Sequence, residues 1–156
     1  MEAMKTKTLL LTLALTFAAG TFCFAQSPQM GTWKLNEGKS KLTGMGKNNT
    51  VVYAAQGDKV KVTIDGTDEA GKASHDEWIG KLDGKDYAVT GDPDSDMRSY
   101  KMVNERTLSF AVKKGGKTVG TGRVVVSADG KSRTVTFSGT DAKGKKFKST
   151  AVYDKQ

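Results

Sequence analysis

Val62-Thr63-Ile64-Asp65-Gly66-Thr67-Asp68-Glu69-Ala70-Gly71-Lys72 returns without a gap, 73 residues later, as Val135-Thr136-Phe137-Ser138-Gly139-Thr140-Asp141-Ala142-Lys143-Gly144-Lys145. Read as chemistry, the spacing from Gly66 through Gly71-Lys72 approaches a phosphate-binding loop. Read as architecture, alternating apolar residues running into a glycine-bounded polar corner describe the bend of a β-hairpin. A Walker loop needs Ser or Thr after its lysine to hold magnesium, and Ala73 and Lys146 stand there. Asp68 and Glu69 inside the first copy would repel phosphate. Each copy also leads into a strand-like segment, whereas phosphate sites use a helix N-terminus. The repeat is therefore a hairpin corner.

The same period of two runs through the rest of the chain. Val60, Val62 and Ile64 alternate with Lys61, Thr63 and Asp65, and Leu108, Phe110 and Val112 with Ser109, Ala111 and Lys113. Such segments put an apolar set on one sheet face and a polar set on the other. Asp83-Gly84, Gly115-Gly116 and Asp129-Gly130 read as two-residue hairpin loops, with Gly57-Asp58 and Asn104-Glu105 as further tight turns. Pro93 places Gly91 to Asp96 in a longer loop. Strands are expected near 50–56, 59–65, 72–81, 85–90, 97–103, 106–113, 117–127, 131–138 and 145–153, with a further one holding Trp33 and Leu35. An antiparallel up-and-down meander of about ten strands exposes two edges unless it curls and closes. The expected fold is all-β, a closed or strongly curled barrel, with Gly120 and Gly122 supplying curvature in its longest strand.

The N-terminus reads as a targeting segment. Lys5 and Lys7 precede the apolar stretch from Leu9 to Gly20, and Cys23-Phe24-Ala25 sets small residues before a cut at Gln26. The expected products are a signal peptide, 1–25, and a single domain, 26–156, that is secreted to the periplasm or the medium with no membrane span after cleavage. The sole cysteine, Cys23, leaves with the signal, so no disulfide, thiol nucleophile or thiolate metal site is expected. The formal charge is +8 for the whole chain. Acidic residues are interspersed with the basic ones, which reads as solubility; a dedicated basic face would select anionic surfaces such as lipid headgroups or acidic glycans. Nucleic acid is not among the expected partners.

No catalytic constellation stands out. Gly44-Met45-Gly46 and Gly120-Thr121-Gly122 lack the third glycine of a dinucleotide motif. Asp92, Asp94 and Asp96 open like a calcium loop, but Met97 and Asn104 occupy the positions where an EF-hand needs Gly and Glu. These aspartates read as turn caps. His75 is the only histidine and has no partner for metal or triad chemistry; it reads as a strand residue facing water or half-buried. Neither an enzyme nor a cofactor is expected. Aromatics recur about once per strand, and Trp33, Tyr53, Trp78, Tyr100, Phe110, Phe137 and Tyr153 are the candidate ligand-binding set. They either fill the core or line a pocket in the barrel mouth. The small residues Gly120, Gly122, Ser149 and Ala151 either admit close packing or leave a cavity.

Gly31-Thr32-Trp33 at the start of the first strand resembles the Gly-x-Trp signature of lipocalins and related barrels, in which the tryptophan plugs one barrel end. The chain departs from that pattern in having no arginine in its final strand to partner the tryptophan, and the segment from Asn36 to Asn49 is too short for the helical lid of fatty-acid-binding proteins. Trp33-Lys34-Leu35-Asn36, Asp83-Gly84-Lys85-Asp86-Tyr87 and the terminal Val152-Tyr153-Asp154-Lys155-Gln156 look like a widespread, functionally uncharacterised group of small secreted bacterial proteins. The resemblance implies a lipocalin-like barrel and a binding module for a small, mostly apolar ligand. The alternative is an envelope or extracellular interaction or inhibitor-type protein with a solid core, using exposed loops and a basic surface to hold an anionic envelope polymer or a protein. A filled interior separates the second reading from the first.

Overall fold

The computed structural model describes residues 27–141 and 143–156; the expected signal segment lies outside the described residues. Ten strands follow in order: β1 (Gly31–Leu35), β2 (Lys47–Gln56), β3 (Lys59–Thr67), β4 (Ala73–Gly80), β5 (Tyr87–Thr90), β6 (Met97–Asn104), β7 (Thr107–Lys114), β8 (Lys117–Val126), β9 (Ser132–Thr140) and β10 (Lys146–Lys155). All neighbours are antiparallel, and the meander closes because β1 pairs with both β2 and β10. Closure satisfies the edge groups that a ten-strand open sheet would leave bare.

Side chains sort by the expected alternation. Val60, Val62 and Ile64 of β3 are buried while their neighbours along the strand are not. The inner face is mostly apolar, with Arg98, Arg133 and Ser149 as buried exceptions, and the outer face carries many Lys, Ser and Thr. One end is closed by Gln29, Met30 and Trp33, all buried. The hairpins at 68–72, 115–116 and 141–145 and the loop at 91–96 lie at the other end, here called the loop end.

Both copies of the repeated corner sit at the loop end and share one hydrogen-bond plan. The amides of Ala70 and Lys72 donate to Asp68 Oδ1 at 2.9 and 2.8 Å. The amides of Lys143 and Lys145 donate to Asp141 Oδ1, both at 2.9 Å. An aspartate thus occupies the amide cradle that a phosphate would need. Gly66 and Gly139 serve close backbone approach: a Cβ would lie 2.0 Å from the Lys47 carbonyl oxygen in the first case and 2.6 Å from that of Val119 in the second.

Two connectors depart from the two-residue reading. Residues 81–86 form a longer passage along β6, with an Asp83–Lys101 bridge and the Gly84 amide donating to the Tyr100 carbonyl at 2.8 Å. Asp129-Gly130 lies within a wider turn in which the Ser127 amide donates to the Ser132 carbonyl, and Asp129 accepts from the Lys131 amide. In both, a carboxylate captures the nearest free amide and lengthens the turn. The segment after β1 is also not a helical lid. A 3-10 turn at Glu37–Lys39 leads into a strap on β10, with Lys41 and Thr150 exchanging backbone hydrogen bonds at 2.7 and 2.8 Å.

Asp68→Ala and Asp141→Ala should each lower unfolding free energy by about 1 kcal/mol, the net worth of such hydrogen bonds. The two losses should add, because the corners share no partner. Urea unfolding of the single and double variants checks both points, and a strongly non-additive pair would refute the independence of the corners.

Candidate functional site

At the closed end, Trp33 donates from Nε1 to the Gln29 carbonyl at 3.0 Å. The guanidinium carbon of Arg133 lies 4.8 Å from the Trp33 ring centre, 4.7 Å from Tyr53 and 5.1 Å from Tyr153. The chain therefore carries an arginine on Trp33, from β9 rather than the final strand. Register places it: Arg133 lies opposite Tyr153, and Trp33 lies opposite Lys155. Arg133 is buried and its Nε and Nη1 have no hydrogen-bond partner among the described residues. Three aromatic faces thus take the place of a carboxylate, an arrangement worth more when desolvated. Burial pushes the Tyr153 hydroxyl up to about 12 against the opposing pull of Arg133, and raises Tyr53 further, so both phenols stay neutral around the cation.

Mid-barrel, Trp78 donates from Nε1 to the Arg98 carbonyl at 2.8 Å. Its ring stands edge-on to Tyr100 with centroids 4.8 Å apart. Arg98 is buried and ion-paired through Nη1 to Asp76 at 3.2 Å and through Nη2 to Asp92 at 3.4 Å. Burial raises the Asp76 carboxyl, and the Arg98 charge works against that rise. Asp92 also accepts from the Ser95 hydroxyl and the Asp94 amide, and Asp96 from the Gly115 amide. The aspartate loop is thus a turn tied to a buried arginine. Among the described residues no group of three acidic, histidine or cysteine side chains could hold a metal ion.

Toward the loop end, Phe110 and Phe137 stack at 5.6 Å, and Phe137 meets Phe147 at 5.6 Å. The glycines of β8 make this possible. A Cβ on Gly120 would lie 2.2 Å from the Phe137 ring, and one on Gly122 would lie 2.4 Å from the Phe110 ring. The small residues of the inner face therefore admit aromatic rings.

The seven aromatic candidates consequently divide. Trp33 and Trp78 have no exposed surface, and Tyr53, Tyr100 and Tyr153 have only 3–4%. A void wide enough for water beside these rings would leave them exposed, so they are core. Phe110 and Phe137 are half-buried. Five of the seven candidates thus pack in the interior, and the other two stand half-buried toward the loop end.

What the aromatic reading missed lies outside. Residues 57–96, spanning β3 to β5, hold 11 carboxylates against 5 lysines. Residues 97–156, spanning β6 to β10, hold 14 Lys and Arg against 4 carboxylates, and 12 of the 14 lie outside, Arg98 and Arg133 being buried. Charge summed over windows would have exposed this division; charge judged residue by residue reads as interspersed. Lysines near the acidic half find partners: Lys61 with Glu77 at 2.8 Å and Lys81 with Asp58 at 2.6 Å. On the basic half, an outer-face groove of about 560 Å³ crosses β7 to β10. Ser109, Thr121, Arg123, Thr136, Ser138 and Lys148 line it, with Phe110 and Gly122 completing the lining.

No family model and no curated protein matches the chain. Among solved structures it is similar to one described as "Structure of a redesigned beta barrel, mFAP1, bound to DFHBI", at 12% identity and a TM-score of 0.43, over 83% of this chain and 98% of that one.

His75 faces water on β4. Its Nδ1 lies 2.6 Å from Asp65 Oδ1 and its Nε2 3.7 Å from Glu77 Oε1. The Asp65 hydrogen bond is the main cause that raises its pKa above 6.5. The stabilisation is complete below the unfolded value of 6.5 and is lost as pH rises through the higher folded value. Asp65→Asn should lower the His75 titration midpoint toward 6.5, read from its ring-proton NMR shifts. Added salt should weaken the effect because the pair is exposed. An unmoved midpoint would exclude Asp65 as the cause.

Proposed function

We propose that this chain is a secreted, non-catalytic binding protein that holds an anionic partner on its outer face, with a solid interior. The observation that carries the reading is the segregation of charge around the barrel, 11 carboxylates to 5 lysines across β3 to β5 and, with buried Arg98 and Arg133 set aside, 12 basic residues to 4 carboxylates across β6 to β10. A field divided in this way orients and concentrates a polyanion on one face. The packed state of Trp33, Tyr53, Trp78, Tyr100 and Tyr153 weighs against storage of an apolar ligand in the lumen. The barrel fold itself is consistent with binding. The signal-like N-terminus and the resemblance to small secreted bacterial proteins support an address in the periplasm or medium, where anionic envelope polymers are at hand.

Binding to an anionic polymer immobilised on a sensor surface should fall steeply as salt rises through the physiological range, since exposed charges are screened over about 8 Å at 0.15 M. Lys117→Gln with Lys131→Gln, on the basic half, should weaken it. Lys59→Gln with Lys72→Gln, which changes net charge equally on the acidic half, should not. Equal effects from the two pairs would mean that bulk charge alone acts. Retention of an apolar fluorophore in the interior would restore the lumen as the site.

A further inference from the structure

We infer that the groove across β7 to β10 is a binding track for an acidic polysaccharide, a chain carrying both hydroxyl and anionic groups; this rests on the outer-face reading above. Strand register places its groups. One row across the sheet runs Ser109, Arg123, Thr136, Thr150. The next runs Ala111, Thr121, Ser138, Lys148. A third pairs Thr140 with Lys146. Rows two residues apart along a strand are separated by about 6.8 Å, and neighbouring strands by about 4.8 Å. Cations therefore recur along the strands, one per row, with hydroxyls between them.

A second hollow of about 340 Å³ shares Thr121 and Ser138 with the first and extends past Thr140 to Lys146. The two form one continuous track. Among the described residues, Arg123, Lys146 and Lys148 have no carboxylate within ion-pair distance, unlike Lys47, Lys61, Lys81 and Lys113 elsewhere on the barrel. No acidic side chain lines either hollow.

The lining chooses among polyanions. Hydroxyls both donate and accept, so Ser109, Thr121, Thr136 and Ser138 match the hydroxyls of a sugar, while Arg123 can grip a carboxylate or sulfate with two parallel hydrogen bonds. Polyphosphate offers acceptors alone and would leave the accepting half of each hydroxyl unused. Single-stranded nucleic acid is held by aromatic platforms on which bases stack. Here the two aromatics of the track, Phe110 in the first hollow and Phe147 in the second, both belong to the inner-face cluster around Phe137.

Titration calorimetry of the full chain with polygalacturonate, neutral dextran, long-chain polyphosphate and poly(dT) tests the assignment. Polygalacturonate should bind and dextran should not. Arg123→Ser with Lys148→Ser should weaken polygalacturonate at least about tenfold, from the loss of charge-assisted contacts. Thr136→Val with Ser138→Ala should weaken polygalacturonate more than polyphosphate, a contrast that a loss of charge or of folding cannot produce. Unchanged far-ultraviolet dichroism keeps each variant interpretable. If wild type binds polygalacturonate and the Arg123 and Lys148 variant binds it equally, the groove is refuted while the outer-face reading survives. Failure of wild type to bind any of the polyanions would overturn that reading itself. Preference for polyphosphate or poly(dT) over polygalacturonate would overturn the polysaccharide assignment.

Discussion

Closure of the sheet rests on a five-residue strand. β1 pairs with β10 on one side and β2 on the other, and Trp33 at its centre lies opposite both Val51 and Lys155. Without that strand, β2 and β10 would present open edges, and the inner face would lose the group that plugs its closed end. The Trp33 indole is held by the Gln29 carbonyl and carries Arg133 on its face. One residue thus joins strand pairing, end closure and a cation–π contact with a buried arginine.

The glycines of β8 govern the opposite end. Because Gly120 and Gly122 have no side chains, the Phe137 and Phe110 rings lie directly over the strand. These rings are half-buried, whereas Trp33, Tyr53, Trp78, Tyr100 and Tyr153 fill the rest of the interior.

Much of this was legible in the chain. The alternation in 59–65, 106–113 and 131–138 gave strand identity and facing, because a period of two depends only on local geometry. The repeated Gly-bounded corner marked hairpins and placed both copies at one end. Less legible were the 81–86 passage and the wider turn at Asp129, where side-chain carboxylates compete for amides. The Trp33 partner was also missed, since it comes from β9 and stands 100 residues away in sequence. Core and pocket stayed open for the aromatic candidates because sequence lists side chains without the volume they share.

By itself, the sequence determined an all-β meander and its turn chemistry, both of which are written in neighbouring residues. Only the tertiary structure decided whether small inner residues leave a void, since that depends on rings from other strands settling onto glycine. It also decided which charges matter. Lys61 and Lys81 meet carboxylates, whereas Arg123 and Lys148 lie opposite Thr136 and Ser138 with no carboxylate at ion-pair distance among the described residues. Register sets that difference by determining which side chains face one another across the sheet.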